Sequence, residues 1–263
     1  MTIYPFNLRF DNPAYAEFSV IFEGRPVPEL RCVISSRSAG SMGAPGTGNA
    51  PEGFYRSLGL DPERVAALRQ VHSRTVFEAR RGRLLRGARG DGLVAAGGGI
   101  ALQVTAADCL PVFLWDTEQG CCGLVHSGWR GTGIVLNALA LMKERWGTRP
   151  EKVGAVLGPC IRSCCYRVDR ERAGAFEAEF GPPGEGGEYP LGPVAGTATD
   201  PAAGGEASYL DLQAANARLL ARAGVRHAAV CGDCTFTDER LGSYRREGPA
   251  YTRMAALLIP PRY

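Results

Sequence analysis

Residues 105–112 read TAADCLPV and residues 126–132 read HSGWRGT. Cys109 lies between two short apolar runs, and His126 ends the next one, so a thiol and an imidazole stand close to neighbouring strand ends. The chain has three histidines, and a second of them, His72, closes the segment QVH. Two imidazoles and one thiol near strand ends have the composition of a metal site that keeps one coordination position open.

Outward from these residues, the pattern predicts a layered α/β fold. Ile100–Thr105, Val112–Trp115 and Cys122–His126 are short apolar runs bounded by Gly, Asp or Pro, which is typical of buried strands. Apolar residues then recur at helical spacing from Ile134 to Trp146, as in a helix packed on a sheet. Strand and helix patterns of the same kind extend along the rest of the chain. The further predicted elements are strands within 17–22, 30–34, 153–157, 225–230 and 254–259, a strand ending near His72, a helix start at Asp61-Pro62-Glu63, and helices at 170–180 and 211–223.

The fold expected from this pattern is a single α/β domain over residues 1–263, in which a mixed β-sheet is layered with helices. With 263 residues and 45% hydrophobic content, the chain can bury one large core. Residues 181–207 are rich in Gly and Pro, and we expect a mobile surface insertion there.

Charge and composition argue against a nucleic-acid-binding, secreted or membrane-spanning protein. A net charge of +3 without a basic cluster does not indicate a nucleic-acid partner. The first residues lack the plan of a signal peptide, and no apolar run approaches the roughly 20 residues of a membrane span. We therefore expect a cytoplasmic protein without a membrane partner. Its nine cysteines then predict reduced thiols or metal ligands rather than a disulfide framework.

Eight segments together resemble a known family. This family was once described as laccase-domain or multicopper polyphenol oxidase proteins and is now described as zinc-containing purine nucleoside phosphorylases, including peptidoglycan editing factor-like members. The matching segments are QVH (70–72), DGLV (91–94), ADCLPV (107–112), HSGWRG (126–131), GPCI (158–161), CYRV (165–168), CT (234–235) and SYRR (243–246), in the family's order.

The resemblance implies a metal site and an activity. His72, Cys109 and His126 match the family's zinc ligands, and copper is the alternative ion. The implied activity is phosphorolysis of adenosine, inosine and 5′-methylthioadenosine, with adenosine deamination as a companion reaction, so the partners would be a nucleoside and phosphate. Ser73 and Ser127 stand where the family commonly has Gly and Ala, and both are small enough to preserve the backbone approach.

Other residues are candidates for the chemistry around the metal. Asp108 could act as a proton acceptor or orient a ligand, or it could be a turn carboxylate. Arg130, in a Gly-rich turn before a helix, is suited to binding phosphate, although a structural ion pair is the alternative. Arg37 and Arg246 are weaker anion-binding candidates. Gln70 either contacts substrate or braces the site.

Three alternative functions stay open. A cysteine hydrolase would use Cys109 as nucleophile and His126 as base, in peptidoglycan editing. A copper-dependent phenol oxidase would place copper in the same site, although three histidines are few for multicopper chemistry. A non-enzymatic module would use the metal as a structural clip, which ordinarily has four protein ligands. Cys231 and Cys234, in Cys-x-x-Cys spacing, and Cys160 are predicted to be reduced thiols without an assigned role.

Overall fold

The computed structural model describes residues 1–28, 30–43, 52–181, 191–200 and 205–261. Its strands run in chain order as follows: Thr2–Phe6 (β1), Tyr15–Phe18 (β2), Ile21–Phe22 (β3), Arg25–Pro26 (β4), Arg31–Ser35 (β5), Val65–Ala66 (β6), Val76–Glu78 (β7), Gly92–Ala95 (β8), Ala101–Ala106 (β9), Leu110–Asp116 (β10), Cys122–Ser127 (β11), Val153–Leu157 (β12), Arg167–Val168 (β13), Ala195–Asp200 (β14), Gly205–Leu210 (β15), His227–Cys231 (β16) and Met254–Ile259 (β17). The α-helices are Glu52–Ser57 (α1), Ile134–Trp146 (α2), Arg170–Phe180 (α3), Leu212–Arg222 (α4) and Tyr244–Glu247 (α5). Short 3-10 turns occupy Arg37–Ala39, Pro62–Arg64, Pro150–Lys152 and Gly248–Ala250.

The strands build two large sheets, which correct the single sheet expected from the sequence. A mixed seven-stranded sheet has the order β1-β16-β12-β10-β11-β8-β7, and a five-stranded sheet has the order β2-β5-β17-β9-β6. The α/β class with mixed sheets and few helices is confirmed. None of the helices in the described part of the chain is both long and apolar enough to cross a membrane.

Successive side chains of the central strands point to opposite faces of the sheet and therefore belong to different layers of the core. In β10, Val112 and Leu114 pack with α2 and α4, while Phe113 between them packs toward the five-stranded sheet. This is the period-2 pattern of a strand buried on both faces. The result is a helix layer, the seven-stranded sheet, the five-stranded sheet and then α1, which covers the far face through Tyr55, together with Leu58, the residue after the helix.

Helix α2 shows why the sequence pattern was informative. Its buried residues Ile134, Val135, Ala138, Leu139 and Met142 follow helical spacing, and its bounds are those predicted. Gly147 ends the helix with φ +72°, a left-handed conformation that a helix C-terminus often requires.

The segment predicted as a mobile surface insertion, 181–207, includes strand residues. Strand β14 pairs with β15, and β15 pairs with β13, in a small antiparallel sheet. Residues 182–190 and 201–204 lie outside the described residues, so the predicted mobility of the insertion stays a prediction.

Candidate metal centre

Two of the three predicted ligands, Cys109 and His126, lie at strand ends of the seven-stranded sheet. The strand predicted to end near His72 is wrong, because β6 ends at Ala66 and only an isolated bridge at Arg69 precedes His72. Cys109 immediately precedes β10, and His126 lies near the end of β11, whose antiparallel pairing sets His126 opposite Pro111. Asp91 immediately precedes β8, the next strand of the sheet, and accepts a hydrogen bond from the backbone nitrogen of His126 at 2.7 Å. The fold therefore brings the start of β10 and the end of β11 together on rigid elements.

The side chains of His72, Cys109 and His126 converge. One ligand atom of each lies within 4.8 Å of the others, and the two imidazole rings are 5.0 Å apart at an angle of 73°. His126 is buried, Cys109 is half-buried and His72 is exposed. The predicted convergence is thus found, and the cluster is open to solvent on the side of His72.

The Asp91 carboxylate holds His72 and His126 in place by hydrogen bonds. Its fully buried carboxylate accepts hydrogen bonds from the backbone nitrogens of His72 (2.9 Å) and Ser73 (2.6 Å), and from Oγ of Ser73 (2.8 Å). Its Oδ1 also lies 3.1 Å from Nδ1 of His126. Burial opposes ionisation of Asp91, but the hydrogen bonds from His126 and Ser73 outweigh it and lower its pKa to about 2. A permanent carboxylate thus fixes the His126 ring and leaves Nε2 to face Cys109.

His72 depends on the same carboxylate for its backbone conformation. Its φ of +58° is left-handed, which is uncommon for a non-glycine residue. The hydrogen bonds from the backbone nitrogens of residues 71–73 to Asp91 hold this turn. Ser73, where the family commonly has Gly, therefore contributes a hydroxyl donor of its own to the site.

Gly128 permits the close approach of two predicted ligands. A Cβ at this position would lie 2.9 Å from Sγ of Cys109 and 3.4 Å from Cδ2 of His72. A contact of 2.9 Å is shorter than carbon and sulfur tolerate, so any side chain here would displace the thiol. The Gly of the HSGWRG segment is therefore part of the site.

The electrostatics favour a thiolate. Burial raises the pKa of the Cys109 thiol, but the charge of His126 and hydrogen bonds from His126 and His72 outweigh it, so the pKa falls below its ordinary value. Burial lowers the pKa of His126, yet Cys109 and Asp91 together raise it above its ordinary value. Each partner stabilises the charged form of the other, and thiolate is the form that binds a metal.

Asp108 lies beside the cluster in the role of a turn carboxylate. The backbone there is left-handed, with φ +85°, rather than extended. Its Oδ1 accepts a hydrogen bond from Oγ1 of Thr235 at 2.6 Å, and its Oδ2 accepts one from the backbone nitrogen of Arg245 at 2.7 Å. Both oxygens are thus engaged by the chain itself, which favours the bracing alternative over a proton acceptor.

Gln70 and Arg246 also brace the structure. Oε1 of Gln70 accepts hydrogen bonds from the backbone nitrogen and Oγ1 of Thr105, and Nε2 donates to the Thr105 carbonyl. The guanidinium of Arg246 donates to the carbonyls of Thr235, Phe236, Asp238 and Leu241 and to Glu247. For Arg246 this favours a structural role over the predicted anion contact, because NH1 and NH2 are committed to these acceptors.

Arg130 and Arg37 have exposed side chains. The Arg130 guanidinium lies 5.1 Å from the centre of the Trp129 ring, and Arg172 of α3 lies 4.7 Å from the same ring. Two guanidiniums thus lie near one aromatic ring, that of Trp129, the residue that directly follows Gly128. Arg37 lies at the start of a 3-10 turn, where its backbone nitrogen donates to Arg240.

The sequence analysis assigned no role to several residues that shape the site. Asp91 and Tyr166 both stand in matching segments, and Tyr166 is close enough to Cys109 for the thiol to affect it. Burial first, and then the charge of Cys109, raise the pKa of Tyr166. Arg172 and Thr235 were missed as well, and only the threonine had a signal, its place in the CT segment.

The donor set fits a metal ion with an open position. Zn–N and Zn–S bonds are about 2.0–2.3 Å, so ligand atoms around one zinc lie about 3.3–3.7 Å apart. The observed separations, all within 4.8 Å, need only a small contraction. Two imidazoles and a thiolate are also donors that suit copper, and the geometry does not separate the two metals.

Comparisons with known proteins find relatives over most of the chain. Residues 49–260 match the model of a family described as multi-copper polyphenol oxidoreductase laccase. A purine nucleoside phosphorylase of Deinococcus radiodurans is 34% identical over 207 residues, which cover 78% of this chain and 74% of that protein. A purine nucleoside phosphorylase of Corynebacterium glutamicum is 34% identical over 213 residues, 77% of each chain. The crystal structure of YlmD from Geobacillus stearothermophilus superposes with a TM-score of 0.79 at 25% identity, over 97% of this chain and 99% of that one. YfiH of Bacillus licheniformis, at 22% identity and a TM-score of 0.78, shares the fold.

Proposed function

Because this chain belongs to the family described as multi-copper polyphenol oxidoreductase laccase, and relatives at 34% identity bear the name purine nucleoside phosphorylase, we propose that it is a zinc-dependent purine nucleoside phosphorylase. The observation that supports this most is the convergence of His72, Cys109 and His126 on one open cluster. A structural zinc site would be closed by a fourth protein ligand. Among the described residues, no fourth His, Cys, Asp or Glu joins this cluster.

The metal would be held by Nε2 of His126, by the thiolate of Cys109 and by one ring nitrogen of His72. Zinc bound there would act as a Lewis acid on an oxygen of the substrate and ease the deprotonation of water. Asp91 keeps Nδ1 of His126 engaged, so that the ring presents one fixed nitrogen to the metal. The exposed edge of His72 is the side from which a nucleoside would reach the site.

Phosphate would bind at the pair of guanidiniums around Trp129. In phosphorolysis, a phosphate oxygen forms a bond to C1′ of the ribose while the bond from C1′ to the purine nitrogen breaks and the base leaves. Arg130, two residues after Gly128, has an exposed guanidinium, and Arg172, which is paired with Asp169 at 3.5 Å, provides a second one. Their charges would hold the phosphate against the sugar, which is mostly a positioning role.

We propose adenosine, inosine and 5′-methylthioadenosine as the substrates, with hydrolytic deamination of adenosine as a companion reaction. The two reactions make different demands on the protein. Phosphorolysis needs both the metal cluster and the guanidinium pair, whereas deamination needs the metal and water. A nucleoside and phosphate are therefore the proposed partners, and the cytoplasm is the proposed location.

The test is a metal analysis of the purified protein paired with assays on inosine and adenosine, with and without phosphate. We expect about one zinc per chain, hypoxanthine and ribose 1-phosphate formed from inosine only with phosphate present, and loss of both activities after chelation. Copper as the resident metal, with oxidation of a phenol, would instead identify the oxidase. Base release that needs neither phosphate nor metal would contradict the proposal.

A second candidate is favoured by the charge state of the Cys109–His126 pair. A thiolate beside a protonated imidazole, oriented in turn by Asp91, is also the arrangement of a cysteine hydrolase. The two candidates respond oppositely to chelation. Removing the metal would activate a cysteine nucleophile and inactivate the phosphorylase, and alkylation of Cys109 would then block hydrolysis of a peptidoglycan fragment.

A further inference from the structure

A second group of three thiols shares no residue with the candidate metal centre. Cys164 and Cys165 stand in the turn that follows β12, and Cys234 stands in the loop that follows β16. Their three sulfur atoms lie within 4.8 Å of one another, and the sulfurs of Cys164 and Cys165 are 3.3 Å apart. Cys164 is exposed, Cys165 is half-buried and Cys234 is buried, so the group reaches from the surface inward.

These separations are those of ligands around one ion. Metal–sulfur bonds of about 2.3 Å place the sulfurs about 3.8 Å apart in tetrahedral and about 4.0 Å apart in trigonal coordination. The separation of 3.3 Å between Cys164 and Cys165 and the upper limit of 4.8 Å for the group lie on either side of these values, so small side-chain rotations would suffice. A disulfide is the other use of neighbouring thiols, but Cys164 and Cys165 are adjacent in sequence, and a single compact bridge suits such a pair poorly.

The sulfur of Cys234 already has a donor from the backbone. It accepts a hydrogen bond from the backbone nitrogen of Arg162 at 3.4 Å. A donor of this kind stabilises a thiolate, which is the form of cysteine that binds a metal.

A route for an ion to the thiols is open. A cavity of about 560 Å³ is lined by Cys164 and Cys234, with the carboxylates of Asp233 and Asp238 on its wall. Asp238 is paired with Arg240 of the same wall at 2.7 Å. Asp233 provides a further carboxylate that attracts a cation, and Arg162 provides a positive charge that offsets part of the negative charge of three thiolates around a monovalent ion.

We propose that Cys164, Cys165 and Cys234 form a second metal site, which takes a thiophilic d10 ion such as Cu(I). The donor set is sulfur alone, whereas the first site contains two imidazoles. Soft thiolates select soft ions, and three of them satisfy Cu(I) without the fourth ligand that structural zinc ordinarily has. Binding exchanges the thiol protons, which go to solvent, for the ion, with no change of oxidation state. This inference is independent of the proposed phosphorylase activity.

The test is a titration of the full chain with Cu(I) against a chromogenic chelator, under anaerobic and reducing conditions. A Cys109→Ala background removes the thiolate of the first site. In that background we expect one equivalent of Cu(I), and Cys164→Ser should weaken its binding by more than tenfold, because loss of a residue that merely supports a ligand already costs roughly 10–100-fold. Ser163→Ala, an exposed neighbour in the same turn, is the matched control and should bind as the background does.

X-ray absorption at the copper edge supplies a second measurement, and a shell of sulfur ligands alone is expected. Should Cys164→Ser fail to fold, as judged by circular dichroism, Cys165→Ser makes the same test. Equal affinity in Cys164→Ser and Ser163→Ala, a nitrogen-containing shell, or loss of free thiols to a disulfide in place of ion binding would each overturn the proposal. Cys164→Ser alone should keep normal phosphorolysis, since Cys164 is outside the first site.

Discussion

Oδ1 of Asp91 lies 3.1 Å from Nδ1 of His126, while the same carboxylate holds the backbone nitrogens of residues 71–73. One buried anion therefore positions two of the three proposed ligands, one through its ring and the other through its backbone. The first prediction follows from this shared dependence.

Asp91→Asn should lower metal affinity by roughly 10–100-fold, the usual cost of losing a residue that orients a metal ligand. It should also lower the free energy of unfolding by about 1.5–3 kcal/mol or more, because each lost bond was to a buried charge. Competition with a metal-binding dye and denaturant unfolding measure the two effects. Ser73→Ala, which removes a single hydroxyl donor from the same carboxylate, should have a smaller effect on both. Wild-type affinity in Asp91→Asn would mean that the His126 ring is oriented by other contacts.

Cys109→Ala should abolish metal-dependent turnover and leave the fold largely intact. The cluster sits at strand ends outside the main apolar layers, so its metal is not what holds the core together. Metal content, phosphorolysis of inosine and circular dichroism would be measured together, with Cys164→Ser as a control for loss of a thiol elsewhere. Nucleoside cleavage at the wild-type rate by metal-free Cys109→Ala would refute the assignment.

Gly128→Ala should displace the Cys109 thiol and weaken metal binding, since the added Cβ would lie 2.9 Å from Sγ. The matched control is Gly174→Ala in α3, where a Cβ would meet nothing within 4 Å. In a helix interior, alanine is more stable than glycine by roughly 0.5–1 kcal/mol, so the control should be slightly stabilised. Metal affinity and thermal unfolding separate the two outcomes, and equal metal affinity in both variants would remove Gly128 from the site.

Arg130→Ala should reduce phosphorolysis far more than deamination, because only the first reaction needs phosphate. Lysine should restore activity in part, as it keeps the charge but lacks the planar fork that grips phosphate. The phosphate KM in the nucleoside assay is the measurement, and Arg170→Ala, which removes an exposed guanidinium of α3, is the control. Equal losses in both reactions would show that Arg130 supports the fold or the metal instead.

Glu247 should make the free energy of unfolding depend on pH in the acidic range. Burial opposes its ionisation, but hydrogen bonds from the backbone nitrogens of Ser243 and Thr252 and from Arg246 lower its pKa below the ordinary 4.5. A lowered folded-state pKa means that this stabilisation is present above 4.5 and is lost as the pH falls through the folded-state value. Glu247→Gln should therefore be less stable than the wild type at pH 7, by about 1–3 kcal/mol. The gap should close as the pH falls below 4.5. Urea midpoints across this pH range test it, with exposed Glu239→Gln as the control; a gap independent of pH would contradict it.

The elements that the sequence predicted well are those with a strong, local pattern. The predicted bounds of α2, α3, β12 and β17 agree with the structure because periodicity and caps mark them, such as the Asp169 side chain that accepts from the nitrogen of Arg172 at the start of α3. Edge strands such as β1 and β7 were missed. They are half-buried or exposed, and their partners, β16 and β8, decide that they are strands.

The same distinction applies to the site. His72, Cys109 and His126 could be predicted because the chain has few histidines and each residue stands in a recognisable segment. The role of Asp91 could not, since it depends on hydrogen bonds from residues 18 to 35 positions away along the chain. The bracing roles of Gln70 and Asp108 likewise depend on which distant carbonyls and nitrogens the fold brings within reach.

Because β1 pairs with β16, the first strand of the chain cannot pair until one of the last strands has been synthesised. Thr2 is opposite His227, and β17 lies at the centre of the five-stranded sheet between β5 and β9. At roughly 5–20 residues per second, the stretch from β1 to β16 takes about 10–45 s to translate, so an early strand waits unpaired for that time. Neither sheet can close until the ribosome has delivered the last strands, and a nascent chain halted before β16 would expose apolar edges to chaperones or to aggregation.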